Sequence, residues 1–517
     1  MKIQDQNIAE VFDELRSDFR MSKQTRFTPR MTGVSSSGSA ASYHYNNRSL
    51  IHMIERARHY ERNDMVVGQG VRRLVSNVVQ GGFTPDPQTG DDELDTIFKD
   101  KWREWSSDPD MCHSEGELTF HQIEKLTLRS TIRDGDMWHL LLDTGAMQPV
   151  EAHRPRSPYR TKRRVTNGIL VDDANVRKEV WISKENYSAS YPVKFSEIER
   201  YNIRDELGHR VVLQVYFPDR FSQHRGISAF APCSDTIGMH DDLQFTTLVK
   251  AQLASLLVIL REQNSDAGSG ADSGPPIGGN LDSPSTIIDA EGSVSKVKGI
   301  QAGVDYLAPL GQTVKGFSPN IPNPTFFEHS MLLLTFISVN LDLPVQMLLL
   351  DPQKSNFSSW RGAIDQARIR FREMQKDLVQ QLHRPTYHWK VRQWASESRA
   401  LRQKIANNPK WMEHIWKIPS FAYIEPNKDA LADATQSHNF LSSLRRIMAN
   451  RGNEWDEICT EIIADRGQLI IKAMELEVEL KSKFDVDVTW RDILSPLMGA
   501  TSTSSVSRSI VEESEGV

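Results

Sequence analysis

Over residues 48–80 apolar side chains recur at helical spacing, first Leu50, Ile51 and Ile54, then Val71, Leu74, Val75, Val78 and Val79. That period predicts two helices, broken at Gly68-Gln69-Gly70 and stopped by Gly81-Gly82. A third helix is expected over 117–132. Beyond it the period becomes that of strands: 137–142 closes on Asp143-Thr144-Gly145, and 163–166 meets 169–172 across Asn167-Gly168. Asn-Gly between strand-like runs marks a type I′ hairpin, because both central residues of that turn need positive φ. With a further strand at 211–217, residues 120–232 read as a mixed α+β unit of mainly antiparallel pairs.

The pattern then returns to helices. Over 234–262, Phe245, Leu248, Val249, Leu256, Ile259 and Leu260 share one face of a helix about 43 Å long. Residues 264–323 open on a run rich in Gly, Pro, Ser and Asp and continue with short strand-like pieces. A second apolar helix is expected over 325–341, and its polar residues Glu328, Thr335, Ser338 and Asp342 are spaced 7, 3 and 4, which sets them on one narrow stripe. Such a stripe suits a bundle around a water-filled space, and equally a core helix with a few satisfied polar groups. From residue 355 a long amphipathic helix carries Trp360, Ile364, Ala367, Phe371, Met374, Leu378 and Leu382, with a kink expected at Pro385. Pro426 to Asp429 and Asn453 to Asp456 cap two more helices. A helix near the N-terminus, a Ser/Gly linker at 31–42 and a polar tail at 500–517 complete the chain.

One stretch, 331–350, has the length of a membrane span, but Asn340, Asp342, Pro344 and Gln346 interrupt it. A buried helix ending near residue 341 is the expectation, since Asp is costly in a membrane and Pro stops the helix. The first twenty residues carry acids through a helical pattern and lack a signal peptide's apolar core, so no export is expected.

Of the 517 residues 38% are hydrophobic and 25% charged, with mean hydropathy −0.48, a balance that permits several buried cores. Lys and Arg number 62 against 68 Asp and Glu, a net charge of −6. A protein that grips duplex DNA through its phosphates carries a basic excess. Its absence argues against a tight duplex binder. The cysteines, Cys112, Cys233 and Cys459, lack the spacing zinc requires and read as reduced thiols.

The motifs that carry chemistry are missing. There is no GxxxxGK[ST] loop, and Gly68-Gln69-Gly70 lacks the third glycine of a phosphate-binding turn. His240-Asp241-Asp242 occupy consecutive helix positions that point apart and read as a solvated face. Arg133-Asp134-Gly135-Asp136 reads as a turn. Arg154, Arg156, Arg160, Lys162, Arg163 and Arg164 form one basic cluster, which fits either a phosphate site or a hairpin edge guarded against pairing. No catalytic residue, cofactor or metal is expected.

Several motifs, in order, resemble the lambda-type family of tailed-phage portal proteins. Glu55 to Arg58 with Arg62-Asn63 and the run VRRLVSNVVQGG at 71–82 are similar to its opening helices, and LTLRSTIRDGDMW at 126–138 is similar to its next segment. Val150 to Arg154, Phe217 to Arg220 with Gln223 to Gly226, Leu341 to Pro344 and Asn356 to Ser359 resemble its later landmarks. The likeness runs over 44–480, with departures at 167–183 and after Asn264. The resemblance implies an α+β, predominantly α-helical chain with a portal fold: wing at 44–233, stem helices at 234–262 and 325–341, clip at 263–324, tunnel loop at 342–358, wing spine at 359–424 and crown at 425–480. It further implies a ring, usually of twelve copies, at one capsid vertex in the virion, assembled in the host cytoplasm. Its partners would be the terminase large subunit, the major capsid and scaffold proteins, a tail adaptor and the double-stranded DNA passing through. On that reading Glu328, Thr335, Ser338 and Asp342 line the channel, and Gln353, Lys354, Ser355 and Asn356 touch DNA from the tunnel loop. The alternatives are a metal-dependent nuclease built on Asp241/Asp242 or Asp134/Asp136, and a scaffold or adaptor without a channel.

Overall fold

The computed structural model describes residues 46–159, 165–255, 259–261, 285–288, 294–297, 305–307, 324–351, 356–421, 426–451, 455–484 and 488–494. Helices outweigh strands, and the chain divides into two compact units, Met1–Ile415 and Trp416–Val517.

Unit 1 opens with α1 (Asn47–Asn63) and α2 (Met65–Val79). The break between them falls at Asp64, whose carboxylate accepts the N–H groups of Val66 and Val67 and so caps α2. It does not fall at Gly68-Gln69-Gly70, which lies inside α2. Those glycines serve close packing instead: a Cβ on Gly68 would stand 2.6 Å from the Glu61 carbonyl oxygen, and one on Gly70 2.8 Å from Leu341 Cδ1. Gly68→Ala is therefore expected to destabilise unit 1 by about 1–3 kcal/mol. Gly362→Ala, in a helix with nothing near the new Cβ, should stabilise by about 0.5–1 kcal/mol. Denaturant melts of both variants check the contrast.

Next come β1 (Thr84–Pro87), α3 (Asp92–Ser107), α4 (Pro109–Cys112) and α5 (Phe120–Asp134). The ring centroids of Trp102 and Trp105 on α3 lie 5.2 and 5.3 Å from that of Phe120 on α5. Thr119 and Gln122 form a reciprocal capping box at the start of α5, and Gly135, at φ 103°, ends it.

Seven strands follow: β2 (Asp136–Leu141), β3 (Met147–Glu151), β4 (Val165–Thr166), β5 (Ile169–Val171), β6 (Arg177–Ser183), β7 (Ile198–Asn202) and β8 (Val212–Tyr216). They form two antiparallel sheets, β3-β2-β8 and β4-β5-β6-β7. The Asn167-Gly168 hairpin is present, with φ at 51° and 85°. Both sheets feed one core, Trp138, Leu140, Val150 and Val212 from the first and Ile169, Val171, Val180 and Ile182 from the second.

The next helix, α6 (Ser234–Ser255), is shorter than expected, about 33 Å for its 22 residues. Ile259 and Leu260 belong instead to β9 (Ile259–Arg261). An apolar run this short satisfies either period, and pairing decided it. After β10 (Ser285–Ile288) and β11 (Val294–Val297), which pair with each other, β12 (Asp305–Leu307) runs parallel to β9. Then come α7 (Pro324–Asn340), α8 (Val345–Leu349), α9 (Phe357–Leu378), a π-helical turn (Val379–His383), α10 (Arg384–Glu397) and α11 (Arg399–Ala406). The π turn accounts for the irregularity at Pro385: proline lacks the N–H of a regular ladder, and a wider turn makes room for its ring. No helix among the described residues is long and apolar enough to cross a membrane.

β13 (His414–Lys417) stands at the boundary of the units. Unit 2 holds α12 (Pro426–His438), α13 (Leu444–Asn450), α14 (Trp455–Phe484) and α15 (Trp490–Leu494). The Trp490 N–H donates to Glu477 at 2.8 Å, which ties α15 back to α14.

Candidate functional site

α6 and α7 pack as an antiparallel pair. At one end Asn340 donates to the Ala229 carbonyl at 2.7 Å, and further along Ser330 Oγ lies 3.3 Å from His240 Nε2. His240 is buried against α7, which corrects its assignment to a solvated face; Asp241 next to it is exposed. Inside the pair lie Ile237, Leu334, Ile337 and Leu341. Its outside is apolar too: Phe245 and Leu248 on α6, and Leu332, Phe336 and Val339 on α7, are 50–68% exposed.

The polar stripe on α7 runs obliquely across this pattern. Glu328 lies on the exposed side, at the edge of the face that carries Leu332, Phe336 and Val339. Thr335 is half-buried, and its hydroxyl donates to the Met331 carbonyl. Ser338 is buried, and its hydroxyl donates to the Leu343 carbonyl at 2.5 Å. It therefore fixes the turn after α7 and has no open side in the single chain. Asp342 sits beyond the helix end at φ 53°, the left-handed position of a Schellman cap, in which Leu343 N–H bonds Ser338 O and Asp342 N–H bonds Val339 O. Its exposed carboxylate meets Arg370 Nε of α9 at 3.2 Å, a partner that no spacing in the sequence announced.

That turn is held from below. Leu341 and Leu348 fill the space a Cβ on Gly70 of α2 would need, and Gln375 of α9 donates to the Val78 carbonyl. Gln353, Lys354 and Ser355 lie outside the described residues. Asn356 is the N-cap of α9, its side chain accepting the Ser359 N–H at 2.8 Å.

The acids weighed as metal ligands are committed elsewhere. Asp134 ends α5, fully buried between Arg58 and Arg133; burial opposes its ionisation, but bonds from both guanidiniums outweigh that and hold its carboxyl below the usual range. Asp136 opens β2 and is bonded by Arg225 at 2.6 Å, both side chains being 1% exposed. Neither Asp belongs to a free turn, and with guanidiniums on their oxygens they offer a cation no open coordination. Among the described residues no group of acids, histidines and cysteines is arranged to hold a metal. From the basic cluster, Arg156 is buried and donates to the carbonyls of His153, Tyr187 and Ser188, while Arg154 donates to that of Ser183. Both tie loops to the sheet. Arg160, Lys162, Arg163 and Arg164 lie outside the described residues.

Burial also sets the response to acid. His139, hydrogen-bonded to Thr127, is pushed down to about 3 by burial and then by His113; His388 is lowered to about 4 by burial and then by His414. Because these folded values lie below the unfolded ~6.5, the unfolded chain takes up protons first. Stability is thus complete above ~6.5 and falls as pH drops toward the folded values. The urea midpoint should fall between pH 7 and 4.5, and His139→Gln should flatten that dependence. An unchanged slope in the variant would contradict a neutral buried imidazole.

A family model described as "Phage portal protein, lambda family" matches residues 27–375, more than half of the sequence. The chain belongs to the lambda family of phage portal proteins, a structural rather than enzymatic family. It is 22% identical over 473 residues to a "Probable portal protein" of Halomonas phage phiHAP-1, covering 87% of this chain and 86% of that relative. Among solved structures it is similar to a chain of the "Virion of native gene transfer agent (GTA) particle", at TM-score 0.38 and 9% identity, covering 80% of this chain and 96% of that one. A chain from the "Neck of empty GTA particle computed with C6 symmetry" gives TM-score 0.38 and 10% identity over 78% and 93%. Likenesses of that depth carry no argument about architecture.

Proposed function

We propose that copies of this chain close into a ring at one capsid vertex, through which DNA is packaged and later ejected. The supporting observation is the open apolar face of the α6–α7 pair. A helix apolar over most of its surface belongs in an interior, and in the single chain Phe245, Leu248, Leu332, Phe336 and Val339 face solvent. Neighbouring copies of the same pair would cover it, leaving a polar line toward a central channel. In this reading α6 and α7 are the stem, the segment between them is the clip that docks the terminase large subunit and then a tail adaptor, and the helices of residues 425–480 form the crown. Capsid and scaffold proteins would surround the wing.

On this wall Glu328 supplies the acidity, with Thr335 beside it; Asp342 is offset by Arg370, and Ser338 shapes the turn. Weak negative charge repels phosphates and prevents DNA from stalling. Gln353, Lys354, Ser355 and Asn356 would touch the DNA backbone from the tunnel loop, Asn356 also serving as the cap of α9. In a packaging assay Glu328→Lys should slow translocation at low salt, with recovery as salt screens the new attraction. An unchanged rate and salt dependence would remove Glu328 from the wall. Deleting 351–355 should leave rings intact but impair DNA retention, whereas loss of the ring would make that segment a plain helix connection.

A further inference from the structure

Three arginines of unit 1 stand side by side where like charges are normally avoided. The β6–β7 ladder pairs Glu179 with Asn202 and is continued by a 2.9 Å bond from Ile203 N–H to the Lys178 carbonyl, which sets Arg177 level with Arg204. Arg204 is bridged in turn to Arg210 across the turn at 205–209. Like charges in directly opposed strand positions destabilise a sheet. Here all three line a single cavity of about 230 Å³, and none of the residues lining it is acidic.

The cavity is rich in donors. Arg177 is steadied by the Gln214 carbonyl oxygen and by the Tyr216 hydroxyl at 3.2 Å, and Arg204 donates to the Gly208 carbonyl at 2.6 Å, which leaves each with further N–H groups. The Arg210 side chain makes no hydrogen bond or ion pair among the described residues. Burial, and then repulsion from Arg204 and Arg177, push its guanidinium below the ordinary value. Trp138, 1% exposed, also lines the cavity, and its indole N–H is buried without an acceptor. Arg204 and Arg210 are exposed and Arg177 is half-buried, so three guanidiniums share one open cavity with no acid lining it, an arrangement that favours a bound anion.

We infer that this cavity binds a phosphate-type oxyanion, held by Arg177, Arg204 and Arg210. A carboxylate has two oxygens and one charge, and a single guanidinium fork satisfies it. Three forks match a group with more oxygens and more charge. The anion's source is either free phosphate, alone or in a nucleotide, or the backbone of a nucleic acid. The site lies within one chain, so it stands or falls independently of ring formation.

The test is titration calorimetry and thermal melting of the full chain with inorganic phosphate, against chloride at matched ionic strength. Phosphate should bind at one site per chain and raise the Tm. Arg210→Gln should weaken binding at least tenfold, while its Tm in phosphate-free buffer stays the same or rises, because the Arg210 side chain has no protein partner to lose. If a short DNA duplex competes with phosphate and is weakened by the same substitution, the source is the nucleic-acid backbone; if duplex binding ignores Arg210, it is free phosphate. Three results would overturn the inference: no binding beyond that of chloride, affinity unchanged in both Arg210→Gln and Arg204→Gln, or tighter binding of a glutamate-rich peptide than of phosphate.

Discussion

Arg225→Met is expected to lower the unfolding free energy of unit 1 by about 3–5 kcal/mol, the cost of leaving a buried charge without its partner. Arg225 donates to both Asp136 oxygens at 2.6 and 3.1 Å and to the carbonyls of Ala152, Pro155 and Asn167 at 2.5–3.0 Å. One side chain thus fastens the loop after β8 to the start of β2, the end of β3 and the Asn167-Gly168 hairpin. Methionine fills much of the volume but satisfies none of these acceptors, so three carbonyls lose this donor and the buried carboxylate loses its counter-charge, keeping only the bonds from Gln214 and the Gly226 N–H. The adjoining backbones leave no room to rearrange, since a Cβ on Gly226 would lie 1.9 Å from the Gly135 oxygen. Denaturant melts followed by tryptophan fluorescence measure the loss, Trp138 and Trp181 both being buried in this region. Adding Asp136→Leu to Arg225→Met should recover part of it, because the orphaned charge is then gone. A loss below about 1 kcal/mol would show that the pair is not the junction described.

The second large effect is expected on assembly rather than folding. Phe336 is 53% and Val339 68% exposed on α7, so replacing both with Asp leaves the buried core of the single chain intact. Covering a side chain of this size contributes about 1.5–3 kcal/mol, and in a closed ring the loss recurs at every subunit boundary. The double variant should keep its circular dichroism and melting behaviour but sediment as a monomer. If it sediments like the wild type, the exposed face of α7 is not where copies meet.

Much of the fold was legible in the sequence, for reasons that differ by element. The Asn167-Gly168 hairpin was readable because its chemistry is local: few residues accept two successive positive φ values. The end of α7 near residue 341 was readable because Asp342 and Pro344 cannot continue an apolar helix. α3 went unrecognised, although Leu94, Phe98, Trp102 and Trp105 are spaced as one buried face, because acids and lysines between them dilute the pattern. Gly68 and Gly70 were misread because glycine marks either a break or a close approach, and only the neighbours Glu61 and Leu341 decide between them.

The candidate wall followed the same division. The stripe from Glu328 to Asp342 was visible as a period, but a period does not say which edge of the stripe is covered. Leu343 covers Ser338, and Arg370, distant in sequence, answers Asp342. His240 and the Asp134 and Asp136 pair were obscured likewise, since their partners Ser330, Arg58 and Arg225 come from other elements.

Whether this chain builds a ring around a channel is tested most directly by electron microscopy of the purified full-length protein. A closed ring with a central hole, its narrowest part walled by α6 and α7, is the expected result. Folded monomers or open assemblies without a hole, in a preparation whose unit 1 melts cooperatively, would contradict it.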